Sequence, residues 1–294
     1  MRVVATYTTL PGREQTLEES VKSLLEQTRK LDAIYIAIPN EAVRLGTQYS
    51  EPSDFLKESC VIVKPEQDYG PLTKLYGALA KENDAKTCIL SCDDDVIFPP
   101  NFVKVLLKKR KIYPNSAICG SGAMFHRGLW FSTVVNSTTP LDKWKSFTGF
   151  DVSKHGRAID IAFGSGGVLY NRGMFPSHKE FFYIMKTRFL TDSDMFHNDD
   201  VLISGYLSKH GVERRIFLEI PSVKHVSGEG ALSGQPLKML TRMWRAIVKT
   251  QELGYYQDTQ YYSINETPAM RSIIFVSLVI AIVLLIVLIW FLVM

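Results

Sequence analysis

Three consecutive carboxylates, Asp93, Asp94 and Asp95, lie between two apolar runs at residues 87–90 and 96–98. Residues two apart in a strand point the same way, so Asp93 and Asp95 are expected to share a face opposite Asp94. Two such carboxylates about 7 Å apart repel by about 2 kcal/mol at an effective dielectric constant of about 20. A divalent cation would remove this repulsion, and oxygen ligands suit Mg²⁺ or Mn²⁺. The alternative is a solvated turn.

A second acidic pair, Asp199 and Asp200, begins a segment with a helical pattern that extends to Lys209. Acids are common as helix caps, which is the structural interpretation. A carboxylate held at a helix start can also accept the proton of a hydroxyl, a contribution of about 10²–10⁴-fold in rate. Asp200 is the first candidate for such a base and Asp199 the second.

A lysine and a glycine-rich stretch are further candidates for ligand contacts. Lys74 lies near the start of a predicted helix over residues 71–79, whose N–H groups favour anions such as phosphate. Gly166 and Gly167 end the glycine-rich stretch 164–167, which precedes a predicted strand, and glycines let a backbone approach a ligand closely. The structural alternatives are a surface lysine and a flexible turn.

The elements that must position these residues alternate along the first 110 residues. Strands are predicted at residues 3–7, 33–38, 60–63 and 87–91, and helices from about residues 16, 71 and 99. This alternation predicts an open, mostly parallel sheet flanked by helices. Ligands of such sheets bind beyond the carboxyl ends of the strands, where the three acids would lie. The second half is more mixed, with strands predicted at 116–124, 130–135, 167–170 and 216–219 and helices at 200–209 and 237–249.

The order and spacing of these motifs over residues 2–228 resemble nucleotide-sugar glycosyltransferases of the GT-A fold. The nearest likeness is to the family-2-like kind found in bacteria and large DNA viruses. Residues 93–95 match the D-x-D region of that fold, in which the last Asp typically binds the metal on the donor diphosphate. The resemblance implies an α/β fold of GT-A type, with a mixed, mostly parallel sheet.

The same resemblance implies residue roles. Residues 6–13 match a first strand and loop that commonly contact the nucleotide, and residues 68–74 resemble a segment that reaches the base and phosphates of the donor. The implied donor-binding residues are Thr6, Thr8, Arg13, Asp68, Lys74, Asp93, Asp94, Gly166 and Gly167. The implied metal ligands are Asp95, Asp93 and His225, because many enzymes of this fold supply a late histidine. A structural histidine is the alternative at position 225.

The implied activity is a hexosyl- or pentosyltransferase that moves one sugar from a nucleotide-sugar donor to a hydroxyl of a glycan, glycoprotein or glycolipid. Mn²⁺ or Mg²⁺ is the implied cofactor, and a base at Asp199 or Asp200 predicts inversion. The processive signature Gln-x-x-Arg-Trp is absent from the sequence, which predicts one transfer per event. Two alternatives stay open, a sugar nucleotidyltransferase and a non-catalytic, membrane-tethered carbohydrate-binding protein.

The chain has 294 residues and a net charge of +4, too small to indicate nucleic-acid binding by itself. Residues 272–294 contain no charged residue and would span about 35 Å as a helix, enough to cross a bilayer. We predict a GT-A-like domain at residues 1–235, a basic amphipathic juxtamembrane segment at 236–271 and a transmembrane tail anchor at 272–294. Such an anchor, without an N-terminal signal, predicts a catalytic domain that faces the cytosol.

The helical pattern at residues 237–249 has two interpretations. Apolar residues line one face and basic residues lie near the opposite one. Such a helix before an anchor is typical of a segment that lies on an anionic membrane surface. It is equally typical of a helix that docks on its own domain.

The four cysteines, Cys60, Cys88, Cys92 and Cys119, are predicted to be reduced thiols.

Overall fold

The computed structural model describes residues 1–125, 131–135, 156–226 and 236–256. Its strands are β1 (Val3–Tyr7), β2 (Ala33–Ala37), β3 (Glu41–Ala42), β4 (Thr47–Gln48), β5 (Val61–Val63), β6 (Cys88–Ser91), β7 (Val96–Ile97), β8 (Ala117–Cys119), β9 (Ser121–Phe125), β10 (Phe131–Val135), β11 (Arg157–Ile159), β12 (Ile161–Ala162), β13 (Val168–Asn171), β14 (Arg214–Ile216) and β15 (Lys224–His225). Its helices are α1 (Glu14–Leu25), α2 (Asp54–Ser59), α3 (Tyr76–Lys81), α4 (Phe102–Ile112), α5 (His178–Arg188), α6 (Ser193–Phe196), α7 (Asp199–Lys209) and α8 (Pro236–Glu252). Short 3-10 segments lie at Gly70–Leu75, Gly164–Gly166 and Arg172–Met174.

An eight-stranded sheet forms the centre of the domain, in the order β11-β14-β8-β13-β6-β1-β2-β5. The half built from β6, β1, β2 and β5 is parallel throughout. Strand β13 runs antiparallel to both β6 and β8, and β14 is parallel to β8. The predicted α/β class and mixed, mostly parallel sheet are therefore confirmed.

Strand β1 is buried along its whole length because helices cover both faces of the sheet. Val3 and Ala5 pack in one core with Leu17 of α1. Val4 points to the other face, where it belongs to the same core as Leu72. A strand buried on both faces needs apolar residues at successive positions, which is why its sequence shows no polar alternation.

Three predicted boundaries differ from the structure. Residues 71–79, predicted as one helix, form the 3-10 segment Gly70–Leu75 followed by α3. The helix predicted from about residue 16 already begins at Glu14, as α1, and the Thr16 hydroxyl donates to the Arg13 carbonyl at 2.9 Å. The strand predicted at residues 216–219 lies earlier, as β14, because its pairing partner β8 sets the register.

Helix α8 docks on the domain. Trp244, Ile247 and Val248 are buried in the same core as residues of α7. On the polar side, Arg245 lies 3.7 Å from Asp194. From Met243 to Val248 the apolar face of α8 is thus covered by protein, which supports the docking interpretation of this helix over the membrane-surface one.

Within the ranges that the structure describes, no helix is both long and apolar enough to cross a membrane. The anchor predicted at residues 272–294 lies outside those ranges, as does the juxtamembrane segment beyond residue 256. The four cysteines all fall inside them and are free thiols, as predicted, with Cys60 half-buried and the other three buried.

Candidate active site

Acidic side chains gather at the carboxyl edge of the parallel strands, as predicted. Strand β6 ends at Ser91, and residues 93–95 follow in the turn into β7. Because β13 is antiparallel to β6 with Val168 opposite Ser91, the glycine-rich segment before β13 reaches the same edge. The start of α7 also lies there, since Asp200 Oδ1 accepts a hydrogen bond from the Gly164 N–H at 2.8 Å.

Lys74 occupies the middle of this site. Its side chain is buried, and its Nζ lies 2.5 Å from Asp93 Oδ1 and 2.8 Å from Asp199 Oδ2. Burial alone would lower the pKa of Lys74, but the carboxylates of Asp199, Asp93 and Asp200 outweigh it and hold the pKa well above its ordinary value. Lys74 is therefore a positively charged link between the two acidic clusters.

Arg13 supplies the second positive charge. Its Nη2 lies 2.8 Å from Asp95 Oδ2 and 3.1 Å from Asp94 Oδ1, and the Thr9 hydroxyl donates to Asp94 Oδ2 at 2.6 Å. Burial raises the pKa of Asp94 to about 6, even though Arg13 and Thr9 favour the charged form. Asp94 is buried, whereas the side chains of Asp93 and Asp95 keep 29% and 23% of their surface exposed.

The expected strand alternation of the three acids is wrong. Strand β6 ends before them, and Asp94 and Asp95 form a turn in which both contact Arg13, while Asp93 faces Lys74. Because the three acids lie outside an extended strand, the direction of each side chain is set by the cation it pairs with and not by strand alternation. Asp93 and Asp95 nevertheless share the property that matters for a ligand, since both are partly open to solvent.

Asp200 lies at the start of α7 without capping it. Its carboxylate accepts from the N–H of Gly164, and within the described chain the cap residue Asn198 makes no side-chain capping bond. Dense burial of the carboxylate, followed by the charge of Asp199, raises the pKa of Asp200 well above its ordinary value, while Lys74 acts in the opposite direction. Asp200 still keeps some exposed surface, whereas Asp199 is buried. Asp199 is ion-paired with Lys74, which leaves Asp200 as the first candidate of this pair for a ligand contact.

Gly164 is a site residue that sequence reasoning did not single out. A Cβ at this position would lie 2.9 Å from Asp200 Oδ1 and 3.0 Å from Lys74 Nζ, closer than a side chain tolerates. Thr9 was missed as well. Both belong to the stretches identified from the sequence, residues 164–167 and 6–13, but only the contacts show which members of those stretches touch the acids.

Thr6 and Thr8, predicted to bind the donor, make contacts that hold the fold together. The buried Thr6 hydroxyl donates to the carbonyl of Lys74 at 2.5 Å, which ties the 3-10 segment to β1. The Thr8 hydroxyl donates to the Ala37 carbonyl at 2.9 Å, across the ends of β1 and β2. Thr6 therefore positions the Lys74 backbone, and a donor contact at either threonine stays a prediction.

Asp68 organises the turn that leads to Lys74. Its carboxylate accepts from the N–H groups of Gly70 at 2.7 Å and Val43 at 2.9 Å, and from the Thr73 hydroxyl at 3.2 Å. These bonds join the β3–β4 hairpin to the start of the 3-10 segment. The predicted contact of Asp68 with the donor is not tested by them.

The other predicted glycines lie against protein. At Gly166 a Cβ would come within 2.5 Å of the Ser121 hydroxyl oxygen, so the close approach that requires glycine is to β9. Gly167 has a φ of +72°, a conformation that favours glycine, and packs against Phe98 and Phe102. Both residues shape the path of the chain into β13.

His225 lies on β15 with an exposed side chain, next to the acids through the backbone. Strand β15 pairs with β7, and the Val226 N–H donates to the Asp95 carbonyl at 2.8 Å. Among the residues that the structure describes, however, no three His, Cys, Asp or Glu side chains converge into a metal-binding group. The predicted set of Asp93, Asp95 and His225 is therefore not gathered here, because Lys74 and Arg13 hold the two acids separately.

Fold and site together define an α/β domain with a mixed, mostly parallel central sheet and an acidic cluster at its carboxyl edge. Comparisons with protein-family models and with curated proteins find no match for this chain. The resemblance to GT-A glycosyltransferases therefore rests on the order and spacing of the motifs.

Proposed function

We propose that this protein is a metal-dependent glycosyltransferase that moves one sugar from a nucleotide-sugar donor to a hydroxyl acceptor. One observation carries the proposal: five carboxylates and two cations gather at the carboxyl edge of the sheet, and four of the carboxylates are paired with these cations. The carboxylates are Asp93, Asp94, Asp95, Asp199 and Asp200, and the cations are Lys74 and Arg13. The carboxylates outnumber the cations, and the cluster lies where open α/β sheets bind their ligands.

Two carboxylates of the site suit a hard divalent cation by their donor chemistry, although no three such side chains converge among the described residues. Asp93 and Asp95 offer carboxylate oxygens, the ligands that Mn²⁺ and Mg²⁺ prefer, and both side chains are partly exposed. Lys74 and Arg13 already place positive charge against these oxygens. We assign Asp95 and Asp93 as the residues that would hold the ion, and His225 stays a predicted further ligand. When bound, the ion would neutralise charge on the leaving nucleoside diphosphate.

The chain's own cations would bind the phosphates of the donor. A guanidinium such as that of Arg13 matches phosphate geometry with two parallel hydrogen bonds, and an ammonium such as that of Lys74 acts as a point charge. Asp94 holds Arg13 in position from the buried side, and Asp94 in turn accepts a hydrogen bond from the Thr9 hydroxyl. The site therefore contains groups for both the charge and the orientation of a diphosphate.

Asp200 would take the proton of the acceptor hydroxyl. A base works best when its pKa lies near the working pH, and the pKa of Asp200 is raised from that of an ordinary carboxyl. The Gly164 N–H fixes the carboxylate from one side. Asp199 is the weaker candidate because it is buried and ion-paired with Lys74. Direct displacement assisted by a base on the acceptor side inverts the anomeric configuration.

The proposal is tested by transfer assays with a panel of nucleotide sugars and Mn²⁺ on the parent chain and Asp95→Asn. Loss of an outer-shell partner of a metal typically costs about 10–100-fold, so loss of a direct ligand should cost at least that much. The matched control is Asp54→Asn, an exposed acid in the first turn of α2. NMR of the product in the same assay should show inverted configuration.

Other outcomes would contradict parts of this assignment. Equal activity of Asp95→Asn and the parent would remove Asp95 from the metal site, and a retained configuration would remove direct displacement. Pyrophosphate released from a sugar phosphate and a nucleoside triphosphate would identify a nucleotidyltransferase instead. A parent chain that is inactive with every donor, yet binds glycans, would be a carbohydrate-binding protein.

A further inference from the structure

Each cation of the site bridges one buried and one partly exposed carboxylate. Lys74 contacts Asp199, whose side chain is 11% exposed, and Asp93, which is 29% exposed. Arg13 contacts Asp94, which is 7% exposed, and Asp95, which is 23% exposed. The two cations thus have the same surroundings, each with one carboxylate partner in the interior and a second that faces solvent.

The exposed acids are the exchangeable partners in this arrangement. If Asp93 and Asp95 turned to another cation, Lys74 and Arg13 would still be held by Asp199 and Asp94. Neither cation would then be left buried without a counter-charge, which is the costly situation in a protein interior. Asp93 and Asp95, being open to solvent, would lose little by changing partners.

Arg13 also carries an unused donor. Its Nε lies buried and has no hydrogen-bond acceptor in the described part of the chain. An unsatisfied donor of this kind is disfavoured, more so on a charged group, so an acceptor is expected during the working cycle. A phosphate oxygen is an acceptor of the required charge.

We propose that Lys74 and Arg13 are exchangeable counter-ions, which occupy Asp93 and Asp95 until a divalent cation takes these carboxylates and then turn to the diphosphate of the nucleotide. The inference rests on the proposed function, because it concerns the same ion and donor. It predicts that the ion and the nucleotide strengthen each other's binding. The ion replaces Lys74 and Arg13 as the partner of Asp93 and Asp95, and the diphosphate then gives the two released cations a new negative partner. Coupling of this kind typically amounts to about 5–150-fold in affinity.

The test measures Mn²⁺ binding to the purified full-length chain by electron paramagnetic resonance, without nucleotide. Lys74→Met removes the competitor for Asp93 and should bind Mn²⁺ more tightly than the parent, by a factor within the same range of about 5–150. Lys22→Met is the matched control for net charge, because Lys22 lies 3.5 Å from Glu18 on α1. Equal tightening in both variants would reduce the effect to net charge and overturn the proposal.

The second measurement is nucleotide affinity at saturating Mn²⁺. The probe is whichever of ADP, CDP, GDP, UDP and dTDP raises the Tm of the parent most in the presence of Mn²⁺. Lys74→Met should bind this nucleotide more weakly than the parent although it binds Mn²⁺ more tightly. A lysine with a merely structural role would weaken both affinities or neither, and either result would contradict the proposal.

Two further variants keep the test decisive if Lys74→Met folds poorly. Lys74→Met combined with Asp199→Asn also removes the carboxylate that would be left buried and unpaired. Arg13→Gln tests the exchange at Asp95 and leaves Lys74 in place. If the parent binds Mn²⁺ but these variants do not show tighter Mn²⁺ binding together with weaker nucleotide binding, the proposed exchange of counter-ions is overturned and the proposed function is not. A parent that binds no Mn²⁺, with or without nucleotide, would contradict the proposed function as well.

Discussion

At the scale of single residues, the acids of this site differ because each is buried to a different degree. Asp94 is buried against Arg13 and Thr9, which makes it a support for the arginine. Asp93 and Asp95 remain partly open and can exchange partners. Asp200 combines partial exposure with a pKa raised by burial, which suits a group that takes up a proton.

Asp200→Asn should lower kcat by about 10²–10⁴-fold, because a general base contributes about that much. KM and Mn²⁺ binding should stay close to those of the parent. The variant should unfold at no lower temperature, since asparagine still offers an oxygen to the Gly164 N–H and removes a carboxyl whose charged form is disfavoured by burial. Steady-state kinetics and thermal unfolding measure the two effects. Asp84→Asn, at an exposed turn, is the control.

Unchanged transfer by Asp200→Asn would move the base to Asp199. In that case Asp199→Asn should lose the same factor in kcat. It would also disturb Lys74, so its Mn²⁺ affinity should change together with kcat.

At the scale of elements, the site depends on helices and strands that are tied together far from the chemistry. Helix α7 presents Asp199 and Asp200, and its position is set by packing against α8 and strand β12. The start of β1 is tied to the end of α3 by Glu82, which accepts from Arg2 at 2.8 Å and from the Tyr35 hydroxyl at 2.6 Å. Both connections have measurable consequences for stability.

Trp244→Ala should lower the free energy of unfolding by about 3–5 kcal/mol, because Trp244 is 5% exposed in the core between α8 and the domain. Arg245→Ala, on the exposed side of the same helix, should change it by at most about 1 kcal/mol. Urea denaturation of both variants measures these values. A change within about 0.5 kcal/mol for Trp244→Ala would instead indicate a helix whose apolar face is free for a membrane.

Glu82→Gln should lower stability by about 1–3 kcal/mol at neutral pH, as expected for the loss of a buried, charge-assisted network. Burial alone would raise the pKa of Glu82, but hydrogen bonds from Arg2 and Tyr35 outweigh it and hold the pKa below its ordinary value of 4.5. The stabilisation is thus complete above pH 4.5 and is lost as the pH falls through the lowered pKa.

Urea unfolding of the parent and Glu82→Gln across the acid range should therefore show two curves that approach each other as the pH falls below 4.5. A difference in unfolding free energy that stays constant with pH would show that packing, and not the charge of Glu82, holds these elements together.

At the scale of the whole molecule, the proposed function joins a site for a nucleotide sugar to a membrane anchor. The anchor remains a prediction, which rests on the absence of charged residues at 272–294. With the domain facing the cytosol, the acceptor would be a glycolipid at that membrane surface or a glycoprotein made in the cytosol. The donor sugar depends on the residues that line the bound sugar.

The doubly substituted chain Leu284→Arg, Leu285→Arg should lose its association with membranes, because each arginine near the centre of a spanning helix costs about 2.5–3.5 kcal/mol. The control chain Leu284→Ile, Leu285→Ile should remain in the membrane fraction. Fractionation and alkaline extraction of cells that express the full chain measure the difference. Equal membrane retention of both chains would contradict an anchor at residues 272–294.

The sequence by itself determined the α/β class, the parallel half of the sheet and the place of the acids beyond β6. These features follow from local patterns, because a strand covered on both faces must be apolar at successive positions, as in Val3–Tyr7. The acids at residues 93–95 interrupt such a pattern, so the end of the strand was visible as well. The start of α7 at Asp199 was predicted within one residue, from the helical pattern of the residues that follow.

Only the tertiary structure decided which partners those acids have. Lys74 contacts Asp93 and Asp199 because the folded domain brings three segments together that are distant in sequence. A local sequence pattern does not predict such a contact. The position of α8 was undecided for a related reason. A helix with one apolar face fits a membrane surface or a protein surface equally well, and the choice depends on the apolar side chains that α6 and α7 expose to it.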